Sequence, residues 1–478
     1  MEIVKNITGC EKEYAYVTAY FVDSEIKNKK YQTTIQKYLS HSALKKDLGE
    51  VLPIYTVDEE TPHTLYLVSL GEKAKYSLAK LAIVLRNIAT KTSDKIILDV
   101  ASLCGGFPCE EVIKQVVLTL DYYSYNYDEC KSKKTPKIKS VHIPISKDKY
   151  PIIEEYHNLA SAISNTRDLV NKPNNYLSSE DLAEYAQNLA ITLPSISCEI
   201  FGKDQITNLK MGAFLGVNKG SFHEAKLIYL TYQGNKDSSD FIGLVGKGIM
   251  FDTGGYSIKE TMNNMKDDMA GAATVLGLIE AIAKNKLPIN VKVVIAATDN
   301  RINEKAYLPD DVLTAMNGKT IEIVSTDAEG RLTLADALTF IQKEGCKTVI
   351  DLATLTGAVV VALGEYTTGI FGNNKELIKK ITDQGNIEGE HIWELPITDY
   401  IREKVRSSKV ADLTNSTGRY MGASGAAAFL EEFIEEKTNW VHLDIAGTAF
   451  HTSPNYSEFY GASGVMLKTL YQVLKKNS

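Results

Sequence analysis

Residues 241–259 read FIGLVGKGIMFDTGGYSIK, a short apolar run followed by a segment rich in glycine and polar residues. The run FIGLV is typical of a buried strand, and Gly254–Gly255 allow a sharp turn that a β-carbon would obstruct. Lys247, Asp252 and Lys259 therefore follow a predicted strand. The segment lacks the G-x-x-x-x-G-K-[ST] pattern of a phosphate-binding loop, because glycine follows the lysine. We therefore do not expect a nucleotide site here.

Strand-like and helix-like runs alternate through the rest of the C-terminal part. The strand-like runs are Leu227–Tyr232, Phe241–Val245, Val291–Ala297, Thr320–Val324, Thr348–Leu352 and Trp440–Leu443. Helix-like runs, notably Ala270–Lys284 and Leu332–Gln342, lie between several of them. This alternation predicts a mixed, largely parallel sheet flanked by helices. Ligands bind outside the carboxyl ends of such strands, so polar residues that follow each strand are candidates for a site.

The N-terminal part is predicted to be a separate, smaller domain. Residues 1–150 combine short strand-like runs with helical stretches such as Ser77–Ala89, which indicates a small α/β domain. The amphipathic stretch at 151–175 is predicted to form a linking helix, and residues 176–478 form the larger C-terminal domain. The whole chain is therefore predicted to belong to the α/β class.

Composition limits the kind of protein this is. The 478 residues are 44% hydrophobic and 24% charged, which is ordinary for a globular protein and excludes wholesale disorder. No run of about 18 apolar residues is present, so we expect no transmembrane helix. The N-terminus lacks a basic region followed by an apolar core, and the six cysteines form no C-x-x-C pair. We therefore expect a cytoplasmic protein that has no membrane partner.

Charge is unevenly distributed along the chain. The net charge is −7, but residues 1–150 carry +3 and the remainder carries −10. An acidic C-terminal part opposes nucleic-acid binding and suits a site that collects cations. The Lys-rich stretch 130–139 is most simply a solvated loop. The alternative is that this stretch forms a basic patch that binds an acidic partner, and the stretch is the main support for that alternative.

Two further segments carry paired carboxylates. Asp267 and Asp268 precede an Ala/Gly-rich helix, and Asp327 and Glu329 follow the strand-like run TIEIV. Taken singly, each pair is explained as helix capping, because carboxylates favour the positive end of the helix dipole. The capping interpretation weakens when all the segments are considered together.

Seven charged residues lie at predicted strand ends or helix starts of one sheet. They are Asp252, Asp268, Asp327, Glu329, Lys247, Lys259 and Arg331. If they converge, the four anions need compensation, which divalent metal ions usually provide. Oxygen ligands suit Mn²⁺, Mg²⁺ or Zn²⁺, and a bridging carboxylate would hold two ions about 3.5–4 Å apart. None of the eight histidines lies in these segments, which excludes the H-E-x-x-H zinc protease site.

The motifs VGKGIMFDTGGYSIK, MKDDMAGAA and TDAEGRL resemble the signatures of the leucyl (cytosol) aminopeptidases. Five further motifs match the family in order, and the likeness covers about residues 166–475. They are RDLVNKPNNYLSSEDLA, DLATLTGAVVVALG, ADLTNSTGR, WVHLDIAGTA and GASG. The resemblance implies a metal-dependent aminopeptidase that releases N-terminal residues, preferably Leu-like, from peptides with a free N-terminus. It also implies a homohexamer.

The resemblance further implies which residues hold two divalent metal ions per subunit, either Mn²⁺ or Zn²⁺, with Mg²⁺ as a further candidate. The five ligands would be Lys247, Asp252, Asp268, Asp327 and Glu329. Asp252 and Glu329 would bridge the ions, and Lys247 would bind as a neutral amine, which requires a strongly lowered pKa. Asp267 is the alternative to Asp268, but the family's aspartate directly precedes methionine, as Asp268 does.

By the same resemblance, Lys259 and Arg331 are the catalytic cations. Lys259 would polarise the scissile carbonyl, and Arg331 would hold a bicarbonate that acts as general base. A metal-bridging water would attack the carbonyl. The pocket for the first side chain would be lined by four residues of apolar or small character. They are Met265, Thr354, Gly357 and Ala446.

The chain also departs from the family pattern. Thr253 and Ser325 stand where the family usually has serine and asparagine, and the stretch from Lys259 to Asp268 is about two residues shorter than in many relatives.

The first alternative function is a DNA-binding or regulatory relative on the same hexameric scaffold. The second is a scaffold that has kept the fold and lost its activity, which the presence of all seven site residues opposes.

Overall fold

The computed structural model describes residues 1–5, 7–8, 10–24, 28, 31–40, 47–58, 61–134, 140–452 and 460–476. These residues form two compact units, Met1–Ser164 and Asn165–Ser478. The division predicted from the sequence, with a linking helix at 151–175, stays a prediction. Within the described ranges, no helix is long and apolar enough to cross a membrane.

The N-terminal unit is built around a six-stranded sheet. Its strands are β1 (Glu2–Val4), β2 (Ala15–Tyr20), β3 (Val51–Asp58), β4 (Thr61–Ser69), β5 (Lys95–Leu98) and β6 (Ser140–His142). The first five helices of the chain are α1 (Gln32–Ser40), α2 (Leu78–Lys91), α3 (Val100–Leu103), α4 (Cys109–Ser124) and α5 (Tyr150–Asn171). The strand order is β1-β6-β5-β2-β4-β3, and all pairs are parallel except β3 with β4. Part of the Lys-rich stretch, 135–139, lies outside the described residues.

The C-terminal unit, which contains the larger sheet, has the following strands and helices. Its strands are β7 (Ile196–Phe201), β8 (Lys226–Gln233), β9 (Ile242–Asp252), β10 (Asn290–Asn300), β11 (Val312–Thr314), β12 (Thr320–Glu322), β13 (Thr348–Ala353), β14 (Thr367–Gly372), β15 (His391–Glu394), β16 (Leu413–Thr414), β17 (Asn439–Asp444), β18 (Phe450–His451) and β19 (Gly461–Ala462). Its helices are α6 (Ser179–Thr192), α7 (Lys203–Asn208), α8 (Gly212–Asn218), α9 (Ala270–Lys284), α10 (Glu329–Lys343), α11 (Gly357–Leu363), α12 (Lys375–Glu388), α13 (Asp399–Val405), α14 (Gly422–Glu431) and α15 (Leu467–Lys476).

The eight-stranded sheet confirms the predicted mixed α/β architecture. Its order is β15-β14-β17-β13-β9-β10-β8-β7, and the central strands β17, β13, β9 and β10 are mutually parallel. Antiparallel pairs flank this parallel core, namely β14 with β17, β10 with β8, and β8 with β7. Each central strand is buried along nearly its whole length, as expected for parallel strands whose two faces are both covered by helices.

Two glycines of β9 show how the helices cover the sheet. A β-carbon on Gly243 would lie 2.7 Å from Ile341 of α10, and one on Gly246 would lie 2.6 Å from Ala272 of α9. Residues 243 and 246 point to opposite faces, because side chains alternate along a strand. Helices α10 and α9 therefore pack on opposite faces of β9, and both begin at the same edge of the sheet.

The strand-like run Thr320–Val324 does not join this sheet, contrary to the prediction of one sheet. It forms β12, which pairs with β11 and β16 in a separate three-stranded sheet. The run is short, and only Ile321 is buried within the resulting strand. An apolar run of this length predicts a strand but does not specify its pairing partner.

A bulge in β9 decides which residues face the site. Ile249 pairs with Thr298 of β10, and Asp252 pairs with Asn300, so β9 carries one extra residue between these pairs. Lys247 and Asp252 are five residues apart and would point to opposite faces of a regular strand. The extra residue reverses the alternation and brings Lys247 and Asp252 to the same side.

Candidate active site

The predicted ligand residues converge at the carboxyl ends of the central strands. Lys247 and Asp252 lie on β9, and the loop that follows this strand carries Lys259. Asp268 lies two residues before α9, and Glu329 is the first residue of α10. Separate stretches of sequence thus contribute to one group of charged side chains, which Asp327 completes. We call this group the carboxylate cluster.

Lys247 organises the buried half of this cluster. Its Nζ lies 2.6 Å from Asp268 Oδ1 and 3.1 Å from Glu329 Oε1, and it donates to the Thr354 carbonyl at 2.8 Å. The Thr354 hydroxyl donates to Asp268 Oδ1 at 2.9 Å. It is Asp268, of the pair Asp267–Asp268, that makes this contact with Lys247. All of these groups are nearly inaccessible to solvent.

Lys259 organises the more open half. Its Nζ lies 2.7 Å from Asp252 Oδ2 and 2.5 Å from Asp327 Oδ1. The side chains of Lys259 and Asp327 keep 21% and 35% of their exposure, which leaves a route for a ligand from solvent. One carboxylate oxygen each from Asp252, Asp327 and Glu329 lies within 4.8 Å of the others, a spacing at which one cation can reach all three.

Asn300, which the sequence analysis did not single out, joins the two halves. Its Nδ2 lies 2.8 Å from Asp252 Oδ1, 3.0 Å from the Thr326 carbonyl and 3.5 Å from Glu329 Oε2. It is the last residue of β10 and is completely buried. Asn300 closely follows the predicted strand Val291–Ala297. The expectation that polar residues at strand ends form the site therefore applies to Asn300 as well.

Burial and crowding perturb the carboxylates. Burial, together with the nearby charge of Glu329, raises the pKa of Asp252 to about 7. The same two causes raise the pKa of Asp327, and burial raises the pKa of Asp268 well above its usual range. Burial would also raise the pKa of Glu329, but the two lysines outweigh it and the pKa is lowered. In the absence of a further cation, the crowded carboxylates are therefore harder to ionise together than singly.

The pKa of Lys247 differs from the neutral amine that the resemblance implies. Burial alone would lower the pKa of Lys247, but the charges of Asp268 and Glu329 outweigh burial and raise it. The contacts with two carboxylates therefore favour the ammonium form of Lys247. A neutral amine requires cations to take over both carboxylates, since a bound metal ion is often the largest charge in its site.

The residues present fit divalent cations. Four carboxylates face only two lysines in the contacts described above, so their full ionisation would leave a negative charge that divalent cations could balance. Asp268 Oδ2 is buried and has no hydrogen-bond partner among the described residues. A buried carboxylate oxygen without a partner is costly unless a cation or a donor reaches it. The oxygen-rich donor set is the one that Mg²⁺ and Mn²⁺ favour and that Zn²⁺ also accepts.

Two glycines make room for the cluster. A β-carbon on Gly330 would lie 2.3 Å from Lys247 Cε and 2.7 Å from its Nζ. Gly254 has φ +85°, and a β-carbon there would lie 2.9 Å from Asp327 Oδ1. The TDAEGRL and DTGG motifs thus need glycine at these positions for a steric reason.

Arg331 lies apart from the carboxylates. It is in the first turn of α10, and its Nη1 donates to the Asn415 carbonyl at 2.7 Å. Its Nε is buried without a hydrogen-bond partner among the described residues. Burial lowers the pKa of Arg331 to about 10, so the guanidinium remains charged at neutral pH. A buried cation with a free donor can hold an anion.

The predicted pocket residues lie on segments that border the cluster. Thr354 contacts Lys247 directly, and Gly357 begins α11. The carboxylate of Asp444, at the end of β17, accepts from the backbone amides of Leu355 and Ala446. The segment that begins at Thr354 and the segment of Ala446 are therefore held side by side.

Met265 lies in a single 3-10 turn, Met265–Asp267, immediately before Asp268. Asn264 precedes it with φ +65°, and the hydroxyl of Tyr460 donates to Asn264 Oδ1 at 2.8 Å. This contact holds the loop that carries Met265.

The two departures from the family pattern both make local hydrogen bonds. Thr253 Oγ1 donates to the Asn300 carbonyl at 2.9 Å and accepts from the Gly255 amide at 3.2 Å. Ser325 Oγ accepts from the Asp327 amide at 3.2 Å. Both hydroxyls therefore stabilise the loops that present the carboxylates.

Comparison with known proteins identifies the family. Residues 164–471 match the catalytic domain of the cytosol aminopeptidase family, and residues 18–134 match its N-terminal domain. A probable cytosol aminopeptidase of Clostridium tetani (strain Massachusetts / E88) is 40% identical over 457 residues, covering 92% of this chain and 93% of that protein. A probable cytosol aminopeptidase of Bacillus subtilis (strain 168) is 41% identical over 419 residues, covering 85% and 83%.

Solved structures agree with this assignment. The bottromycin maturation enzyme BotP superimposes with a TM-score of 0.85 at 28% identity, covering 97% of this chain and 99% of that one. A structure of BotP in complex with Mn gives the same values. The family match spans both units of the chain and includes the whole carboxylate cluster. The chain therefore belongs to the cytosol aminopeptidase family, and it is a metal-dependent aminopeptidase.

Proposed function

We propose that this chain releases Leu-like N-terminal residues from peptides, using two divalent cations held by the carboxylate cluster. The ligands would be Lys247, Asp252, Asp268, Asp327 and Glu329, with Asp252 and Glu329 shared between the cations. The observation that carries the proposal is the convergence of four carboxylates around only two lysines. Mn²⁺ and Zn²⁺ are the cations we favour, and the manganese complex of BotP supports Mn²⁺.

Bound cations would supply Lewis-acid polarisation of the scissile carbonyl and a nucleophilic water of lowered pKa. Lys259 supplies a fixed positive charge beside them, because Asp252 and Asp327 hold its ammonium in place. Contact with Asp252 and the other carboxylates keeps the pKa of Lys259 raised although burial opposes it, so the group stays charged. A preorganised cation of this kind stabilises the negative charge that develops on the carbonyl oxygen.

Arg331 takes a different role in the proposal. The Asn415 carbonyl orients its guanidinium, and its unpartnered Nε is available to a small anion. Bicarbonate is the anion we propose, and when bound there it would supply a general base. The motifs offer no histidine for this task.

Specificity follows from coordination and size. The free α-amine of a peptide has a lone pair that could bind one of the cations, whereas the amide nitrogen of an acetylated N-terminus does not offer one. The first side chain would lie against Met265, Thr354, Gly357 and Ala446, whose small or apolar character suits leucine or methionine. We further propose that the protein is a cytoplasmic homohexamer. A stable monomer at micromolar concentration, measured by light scattering, would contradict the hexamer.

The experiment that tests the proposed function is hydrolysis of a chromogenic leucine amide with Mn²⁺, after chelation, and by Lys259→Ala. We expect activity to require metal and to fall at least ~100-fold in the variant, about 2.7 kcal/mol of transition-state stabilisation. Lys379→Ala is the matched control, because Lys379 also pairs with an aspartate but on the exposed face of α12. Metal-loaded protein that cleaves no free N-terminal residue would overturn the proposal.

A further inference from the structure

We propose that Asn415 is a positioning residue that sets both the Asp327 loop and the guanidinium of Arg331. The inference rests on the proposed function and adds to it a residue outside the metal and substrate contacts. Asn415 follows β16 in the motif ADLTNSTGR and is completely buried.

The side chain of Asn415 makes the kind of hydrogen bonds that the backbone of a neighbouring strand would make. Its Oδ1 accepts from the Val324 amide at 2.8 Å and the Ser325 amide at 3.2 Å, and its Nδ2 donates to the Ser325 carbonyl at 2.7 Å. The backbone amide of Asn415 donates to the Glu322 carbonyl at 3.0 Å. The parallel pairing of β12 with β16 is thereby extended past the end of both strands.

This extension holds one side of the loop. Val324 keeps 50% of its exposure, so apolar burial contributes little there. The next residue, Thr326, is held from the opposite side: its hydroxyl donates to the Gly254 carbonyl and its own carbonyl accepts from Asn300. Asp327 follows immediately and is therefore placed by contacts from both sides.

The same residue orients Arg331 through its backbone. The Asn415 carbonyl accepts from Arg331 Nη1 at 2.7 Å, and the side-chain contacts fix where this carbonyl points. One asparagine thus couples a carboxylate of the cluster to the cation that lies apart from it. A misplacement of about 1 Å at such a site lowers the rate about 100-fold.

The test compares Asn415→Ala with Asn373→Ala. Asn373 is a matched control because its side chain also clamps backbone, donating to the Thr438 carbonyl and accepting from the Trp440 amide, both at 2.8 Å. It directly follows β14 and contacts the start of β17, at the end of the sheet opposite the carboxyl ends of the central strands. We expect Asn415→Ala to lower kcat by about 10- to 100-fold with KM changed less than about threefold. We expect Asn373→Ala to leave kcat within about twofold.

Two further measurements separate positioning from loss of fold. Hydrogen exchange of the Val324 and Ser325 amides should accelerate in Asn415→Ala and stay slow in Asn415→Asp, which keeps the acceptor. In an Arg331→Ala background, Asn415→Ala should cost less than in the wild type, because the part of its effect that acts through Arg331 is gone while the part that acts through the Asp327 loop remains. If Asn415→Ala does not fold, Asn415→Asp carries the kinetic comparison, with kcat falling less than in Arg331→Ala.

The inference is overturned if Asn415→Ala keeps the wild-type kcat, or if its loss is the same with and without Arg331. Unchanged exchange of the Val324 and Ser325 amides overturns it as well. Failure of the proposed function looks different. In that case the wild-type protein cleaves no substrate, while the exchange comparison still reports whether the clamp exists.

Discussion

Replacing Gly330 by alanine is expected to disable the site by displacing Lys247. The added β-carbon would lie 2.3 Å from Lys247 Cε and 2.7 Å from Nζ, whereas carbon atoms in contact are ordinarily about 3.5–4.0 Å apart. Lys247 must therefore move by about 1 Å or more. Its contacts of 2.6 Å to Asp268 and 3.1 Å to Glu329 do not survive such a shift.

The magnitude follows from two opposing effects. Alanine in a helix interior is more favourable than glycine by at most about 1 kcal/mol, which would stabilise α10. Forcing an extra methyl group into a packed site costs about 1–3 kcal/mol. We therefore expect a net loss of about 1 kcal/mol in the free energy of unfolding and, since a ligand residue is misplaced by about 1 Å, a fall of about 100-fold in kcat.

The assay is hydrolysis of the leucine amide, combined with denaturant unfolding of the same samples. Gly202→Ala is the control, because a β-carbon there meets only Glu224 Oε1, the end of a flexible side chain, at 3.2 Å. It should keep wild-type activity. A Gly330→Ala variant that is more stable than the wild type and keeps kcat within about threefold would refute the steric reasoning.

Three further predictions concern pH, specificity and metal. Burial alone would lower the pKa of His442, but the carboxylate of Asp351, 2.5 Å from its Nδ1, raises it. This pair should stabilise the protein fully below about pH 6.5 and lose its effect as the pH rises through the raised pKa, so Asp351→Asn should flatten the decline of the denaturant midpoint above about pH 6.5. Ala446→Leu should lower kcat/KM for leucine substrates at least about tenfold more than for alanine substrates, which competition between the two would measure. Chelation should lower the free energy of unfolding, and Mn²⁺ at about 100 times its Kd should restore about 2.7 kcal/mol in calorimetry.

The residues of the site could be predicted because most of them follow recognisable strands or begin recognisable helices. Asp252, Asp268 and Glu329 were each identified from such positions, and the family motifs then assigned their roles. Asn300 meets the same rule but was not singled out, because an uncharged side chain stands out less than a carboxylate. The structure shows that its amide contacts both Asp252 and Glu329.

Two features of the fold could not be predicted from the local pattern. The bulge in β9 arises from how β9 pairs with β10, and the apolar residues Met250 and Phe251 carry no signature of it. The placement of β12 in a separate sheet likewise depends on partners distant in sequence, β11 and β16. Periodicity reports which residues are buried, but strand pairing is settled by the tertiary structure.

The side chains of Lys247, Lys259 and Arg331 differ in the groups that their positive charges contact. Lys247 and Lys259 each touch two carboxylates, so much of their charge is used within the carboxylate cluster. Arg331 instead donates to an uncharged carbonyl, and no ion pair joins it to a carboxylate in the part of the chain that the structure describes. Because the guanidinium contacts a neutral partner and only the charges of Glu329, Asp444 and Asp327 beyond contact distance offset it, an anion gains more from binding there than beside either lysine. The proposed bicarbonate therefore has one favoured position, and Asn415, which holds Arg331, determines where that position lies.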